Sequence, residues 1–98
     1  MPQTANECIE LLKSYKKENA GKYGIERMGI FGSVARGEQK DDSDIDIYYE
    51  GKPQGLMDSM DLHGELEKLF GKRIDLIRKH SNMSKSLLRQ INRDVIYV

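Results

Sequence analysis

Residues 43–50 read SDIDIYYE, an alternation that a β-strand converts into two chemically distinct faces. Ile45, Ile47 and Tyr49 fall on one face, and Asp44, Asp46 and Tyr48 on the other. The apolar face needs a covering layer, so this strand belongs to a sheet with helices packed on it. The aspartate face is the anomaly, because acids are poor strand formers and costly to bury. Residues two apart in a strand stand roughly 7 Å apart at the Cα level. Two carboxylates so placed repel, and ionising both is unfavourable without a cation. Magnesium takes oxygen ligands, usually one or two carboxylates together with substrate phosphates. The D-x-D pattern therefore suits a metal that grips a polyphosphate. Taken singly, each acid also has a plainer use in a turn or a surface ion pair.

The rest of the chain alternates helical and strand periods. Cys8, Leu11, Leu12 and Tyr15 mark one face of a helix over 5–19, with Thr4 and Glu7 as a capping box and Gly21 and Gly24 as its end. ERMGIFG (26–32) reads as a short strand. SVARGE has room for about two helical turns at most. GKPQG (51–55) is a turn, and Leu62, Leu66, Leu69 and Phe70 place a helix over 56–70 that Gly71 closes. KRIDLIRK (72–79) is a third strand, and SNMS (81–84) caps a last helix carrying Leu87, Leu88, Ile91 and Val95 on one side. DVIYV either extends that helix or forms a short edge strand. The order αβαβαβα gives an α/β (α+β) class, a sheet with helices packed on it. The length, 98 residues, predicts one domain spanning 1–98.

Charge narrows the functional classes. Lysine plus arginine and aspartate plus glutamate both number 16, so the net charge is zero and no strong nucleic-acid signal appears. The charges are nevertheless segregated. Residues 38–50 hold six acids (Glu38, Asp41, Asp42, Asp44, Asp46, Glu50), whereas 72–93 hold seven basic residues against Asp75. Two solvated faces would account for most of these. A single cysteine forbids an internal disulfide and suits a reducing compartment. No apolar run approaches a membrane span and no signal peptide is recognisable, so a soluble cytoplasmic protein without membrane attachment is expected.

Two further features bear on the aspartates. FGS follows the first strand and opens a short helical stretch. Gly32 permits a tight turn and close backbone approach, and a helix start there would present free N–H groups to phosphate. The Ser33 hydroxyl either donates to a phosphate oxygen or caps the helix. Arg36 either reaches a phosphate or pairs with Asp41 or Asp42. Asp75 lies between Ile74 and Leu76 in the third strand. If that strand neighbours 44–48, Asp75 joins Asp44 and Asp46 in a cluster able to hold metal or supply a general base. Pairing of Asp75 with Arg73 or Arg78 is the plainer alternative.

Together, GSVARGEQKDDSDID resembles the G-S-x10-D-x-D signature of the polymerase-β-like nucleotidyltransferases, and its ARG and SDID elements are most similar to the minimal nucleotidyltransferase (MNT-domain) family. The resemblance covers the whole chain, including RIDLI. It implies the nucleotidyltransferase fold, a small mixed sheet with helices on it, with Gly32 and Ser33 contacting the triphosphate and Asp44 and Asp46 ligating Mg2+. Asp75 would be the third carboxylate, a further metal ligand that aligns or deprotonates the acceptor hydroxyl. It implies transfer of a nucleoside monophosphate from an NTP, usually ATP, with pyrophosphate leaving. It also implies an antitoxin role beside a HEPN-domain toxin, with AMP placed on a toxin tyrosine. The chain has no second domain for an acceptor such as RNA, which favours a protein acceptor or a partner subunit completing the site. An open sheet edge and aspartate cleft add an expectation of homo- or hetero-oligomerisation. Neutralisation by contact alone, and transfer to RNA or a small molecule, are the alternatives.

Tyr48 and Tyr49 depart from the aliphatic residues expected after DID. Tyr48 shares the metal face, where it could stack on a base or be modified, though packing is its plainest use. His63 and His80 lack a ligand partner at metal spacing. Cys8 reads as a buried structural thiol, and Met57 and Met60 as core or interface residues.

Overall fold

The computed structural model describes residues 4–40 and 42–98. Asp41, one of the acids suggested above for Arg36, lies outside the described residues. The elements run α1 (Ala5–Tyr23), β1 (Ile25–Phe31), α2 (Gly32–Ala35), β2 (Ile45–Gly51), α3 (Leu56–Phe70), β3 (Ile74–Arg78), α4 (Lys85–Asp94) and β4 (Ile96–Tyr97).

Thr4 caps α1 as expected: its hydroxyl accepts from the Glu7 backbone N–H at 3.1 Å. The helix continues beyond residue 19, however, and passes through Gly21 before stopping at Gly24, whose φ of 65° is left-handed. Tertiary contacts explain the extra turn. Tyr23 is buried, and its hydroxyl donates to Glu65 Oε2 of α3 at 2.6 Å. Tyr15 donates to the other oxygen of the same carboxylate at 2.8 Å. A glycine costs a helix about 1 kcal/mol, less than anchoring of this kind recovers.

The sheet order is β3-β2-β1-β4. β1 runs antiparallel to β2 and to β4, and β2 runs parallel to β3 with α3 as the crossover. Ile96 and Tyr97 pair with Ile30 and Gly29, which resolves DVIYV as an edge strand. Val95 therefore leaves the helix in extended conformation instead of completing its apolar face. Gly29 is required at this pairing, since a Cβ there would lie 2.6 Å from the Ile96 carbonyl oxygen.

Both sheet faces carry a core. On one, Met28, Ile30, Ile45, Ile47, Tyr49 and Ile74 pack beneath α1 and α3. On the other, Phe31 and Tyr48 are covered by Ile91 of α4, with Leu87, Ile77 and Tyr97 around them. Tyr48 thus packs, and its hydroxyl donates to Glu50 Oε2 at 3.0 Å. Met57 and Met60 do not join the core: they are 73% and 61% exposed, off the Leu62–Leu66–Phe70 stripe that α3 buries. His63 has a structural contact, its Nε2 lying 2.8 Å from the Ile74 carbonyl oxygen. Cys8 is buried in the first core. Among the described residues, no helix is long and apolar enough to cross a membrane.

Candidate functional site

The site is built by strand register. In the parallel β2–β3 pair, Ile45 stands opposite Ile74 and Asp46 opposite Asp75. Opposed residues project to the same face, so the isoleucines enter the core while the two aspartates share the other side. Asp44 and Arg73 immediately precede the two strands. The Ile45 N–H donates to the Arg73 carbonyl at 3.0 Å, and Arg73 Nε reaches Asp44 Oδ1 at 3.2 Å. Asp75 is therefore not the acid that Arg73 neutralises.

β1 delivers the Gly-Ser turn to the same place from the opposite flank. Phe31 pairs with Asp46, and the following residue, Gly32, opens α2 with φ +72°. A Cβ on Gly32 would overlap Asp46 Oδ2. The glycine is required twice over, by its backbone angle and by its contact with the carboxylate. Val34 is buried in the first core and fixes α2 in position. Ser33 is not the helix cap, because Phe31 occupies that position.

Electrostatics single out Asp46. Its carboxyl is pushed up to about 6, chiefly by burial, then by the charges of Asp75 and Asp44 and a hydrogen bond with Asp75; Arg36 opposes the shift. Arg36 does not pair with Asp42. Its Nη1 donates to Asp94 Oδ2 at 2.6 Å and its Nε to Glu38 Oε2 at 3.0 Å. Asp94 is held below the usual carboxylate range, first by Arg93 and also by Arg36. These contacts tie the turn after β1 to the end of α4.

Asp94 escaped sequence reasoning, and Arg73 entered it only as an alternative partner of Asp75. Arg73 had a signal, since it precedes Asp75 by the same two residues that separate Asp44 from Asp46. Asp94, far away in the chain, had none.

The donors are hard carboxylate oxygens, and the unfavourable charge on Asp46 is what a cation relieves. Among the described residues, no three acid, histidine or cysteine side chains converge closely enough to hold a metal by themselves. A site that draws its remaining ligands from phosphates has this character. On the α3 side of the sheet, a groove of about 410 Å³ runs between α3 and β3, with Asp75, His63 and Met60 in its lining.

A family model for polymerase beta nucleotidyltransferases matches residues 6–98. The chain belongs to that nucleotidyltransferase family. A Thermococcus cleftensis protein named protein adenylyltransferase MntA is 38% identical to it over 97 residues, which is 97% of this chain and 96% of the relative. A solved structure assigned as a minimal nucleotidyltransferase has a TM-score of 0.72 at 32% identity, covering 90% of this chain and 93% of that one. The fold also recurs in a complex of tri-AMPylated Shewanella oneidensis HEPN toxin with MNT antitoxin. There the TM-score is 0.61 at 21% identity, over 95% of this chain and 66% of the matched one. In this nucleotidyltransferase Asp46 pairs with Asp75 across β2 and β3, and Gly32 lies against the Asp46 carboxylate.

Proposed function

We propose that this nucleotidyltransferase moves AMP from ATP to a hydroxyl of a protein acceptor, a tyrosine of a HEPN toxin, and so acts as an antitoxin. The observation carrying this reading is the Asp46–Asp75 pair with Gly32 packed against the Asp46 carboxylate. In this reading Gly32 opens the phosphate-binding turn, Asp46 is the metal carboxylate and Asp75 the third acid beside it. The name of the Thermococcus relative supports a protein acceptor, and the Shewanella complex supports a HEPN toxin as its source.

Asp44 and Asp46 would hold magnesium, with Asp75 the third acid available to it. Bound magnesium supplies positive charge against the triphosphate. The chain's own residues do the rest. Gly32 lets the backbone approach the phosphates closely, and Ser33 offers them its hydroxyl. Arg36, anchored on Asp94, sets positive charge beside the turn. Asp75 orients the acceptor hydroxyl and takes its proton. The acceptor oxygen then forms a bond to the α-phosphorus as the bond to the α–β bridging oxygen breaks, and pyrophosphate carries away the electron pair.

The test is label transfer from α-labelled ATP with magnesium, comparing the native chain with Asp44→Asn/Asp46→Asn. A candidate HEPN partner and total RNA are supplied in separate reactions. Label on the partner, absent with the variant, supports the reading. Label on RNA replaces the acceptor. A stable complex that neutralises the toxin without any label replaces chemistry with inhibition by contact.

A further inference from the structure

We propose that Arg73 is a phosphate-binding residue of the nucleotide site, paired with Asp44 until a divalent cation takes that carboxylate. The inference rests on the reading of the site as a metal–triphosphate site. Its own support is the ladder across β2 and β3. Asp46 and Asp75 are paired in that ladder, and Asp44 and Arg73, the residues just before the two strands, are joined by an ion pair at its end. Arg73 therefore stands at the end of the acid face, one pleat from the carboxylates the phosphates must approach.

The two guanidiniums near this face differ in how firmly they are held. Arg36 is bound to Glu38 and to Asp94, whose side chain is only 6% exposed, so it serves as a fixed strut. The Arg73 and Asp44 side chains are 82% and 46% exposed. An ion pair in that much water is worth about 0–1 kcal/mol, and two long side chains are not locked by it. A divalent cation, which also gains Asp46, displaces such a partner readily. The released guanidinium remains tethered at the rim by its backbone carbonyl's bond to Ile45. Its planar fork suits phosphate oxygens.

Arg73 should therefore act in opposite directions on the two ligands. Alone, a metal ion must compete with it for Asp44. With the triphosphate present, the same side chain adds binding. A structural or purely solvated arginine has no such divided effect.

The experiment titrates the full chain with Mn2+ alone, followed by electron paramagnetic resonance. It then titrates with Mg2+ and an ATP analogue bearing a non-cleavable α–β bridge, followed by calorimetry. Native protein, Arg73→Gln, Arg73→Lys and Asp44→Asn are compared, with circular dichroism confirming that each is folded. Arg73→Gln is expected to bind Mn2+ about threefold more tightly and the Mg2+ analogue about tenfold more weakly. Arg73→Lys should restore near-native Mn2+ binding and only part of the nucleotide affinity. Asp44→Asn should lose both. If Asp44→Asn loses both while Arg73→Gln matches native, or moves both affinities in the same direction, the Arg73 proposal falls and the site stands. If native protein binds neither ligand, or Asp44→Asn binds both as native does, the metal–triphosphate reading falls and this proposal with it.

Discussion

Gly32→Ala probes the contact on which the site turns. Two costs arise from the structure. Alanine at φ +72° is strained by about 1–2 kcal/mol, since a Cβ there crowds the following carbonyl. The new methyl also overlaps Asp46 Oδ2 and lies 3.0 Å from Asp46 Cγ. Because the carboxylate ends a short side chain, it can swing aside, at roughly 0.5–1.5 kcal/mol for leaving its rotamer. The sum is about 1.5–3.5 kcal/mol. For about 100 residues this lowers the melting temperature by roughly 6–28 °C. Urea denaturation followed by far-ultraviolet circular dichroism, in EDTA, measures it directly. In an Asp46→Ala background the overlap vanishes and only the backbone strain remains, so the same substitution should cost about 1 kcal/mol less. AMP transfer by Gly32→Ala should fall much further than its folded fraction, because the surviving native state holds Asp46 out of position. A cost below about 0.5 kcal/mol, an equal cost in both backgrounds, or native transfer rates would each refute this account of the turn.

Other perturbations separate the site from its scaffold. Asp46→Asn should stabilise the metal-free chain by about 2 kcal/mol at neutral pH while abolishing transfer. The native carboxyl sits near 6 against an ordinary 3.8, so native stability grows as pH falls from 7 toward 4. Denaturation at several pH values in EDTA should show that slope in the native chain and its absence in the variant. Glu65 behaves with the opposite sign: hydrogen bonds from Tyr23 and Tyr15 hold its carboxyl below the usual range, so its contribution is present at neutral pH and lost on acidification through its folded pKa. Glu65→Gln should flatten that acid limb and cost about 1–2 kcal/mol at pH 7, without changing nucleotide affinity measured by calorimetry. Gly21→Ala should stabilise by about 0.5–1 kcal/mol in the same assay, since residue 21 is helical and an added methyl meets no atom within 4 Å.

What sequence revealed about this site was local, and what it concealed was pairing. Period-two alternation put Asp44 and Asp46 on the face opposite Ile45 and Ile47, because side-chain direction in a strand needs no partner. It did not say which residue stands across from Asp46. That depends on the crossover through α3 and on a register in which a one-residue slip would have buried Asp75 and exposed Ile74. The same limit hid the Asp44–Arg73 and Arg36–Asp94 pairs, the second joining residues 58 apart. Gly21 misled for a related reason. Its local preference is to end a helix, but Glu65 holds Tyr15 and Tyr23 across it.

The position of α4 explains how acids persist on a sheet face that also carries a core. The face bearing Phe31, Tyr48 and Ile77 is apolar and lies under Leu87 and Ile91. One pleat from Tyr48, the same face carries Asp46 and Asp75 beside Phe31, with Asp44 and Arg73 just beyond the strand starts. Extending the apolar cover across those residues would strip water from four charged groups, at several kcal/mol per ion in the absence of ideal pairing. Asp75 and Asp44 instead remain open to solvent, and burial falls mainly on Asp46, where Gly32 is pressed against the carboxylate. The last residue of α4, Asp94, grips Arg36 and thereby steadies the turn carrying Gly32 and Ser33. The helix that seals the second core thus also braces the open site beside it. Weakening its end, by Asp94→Asn, should disturb the turn before it disturbs the core.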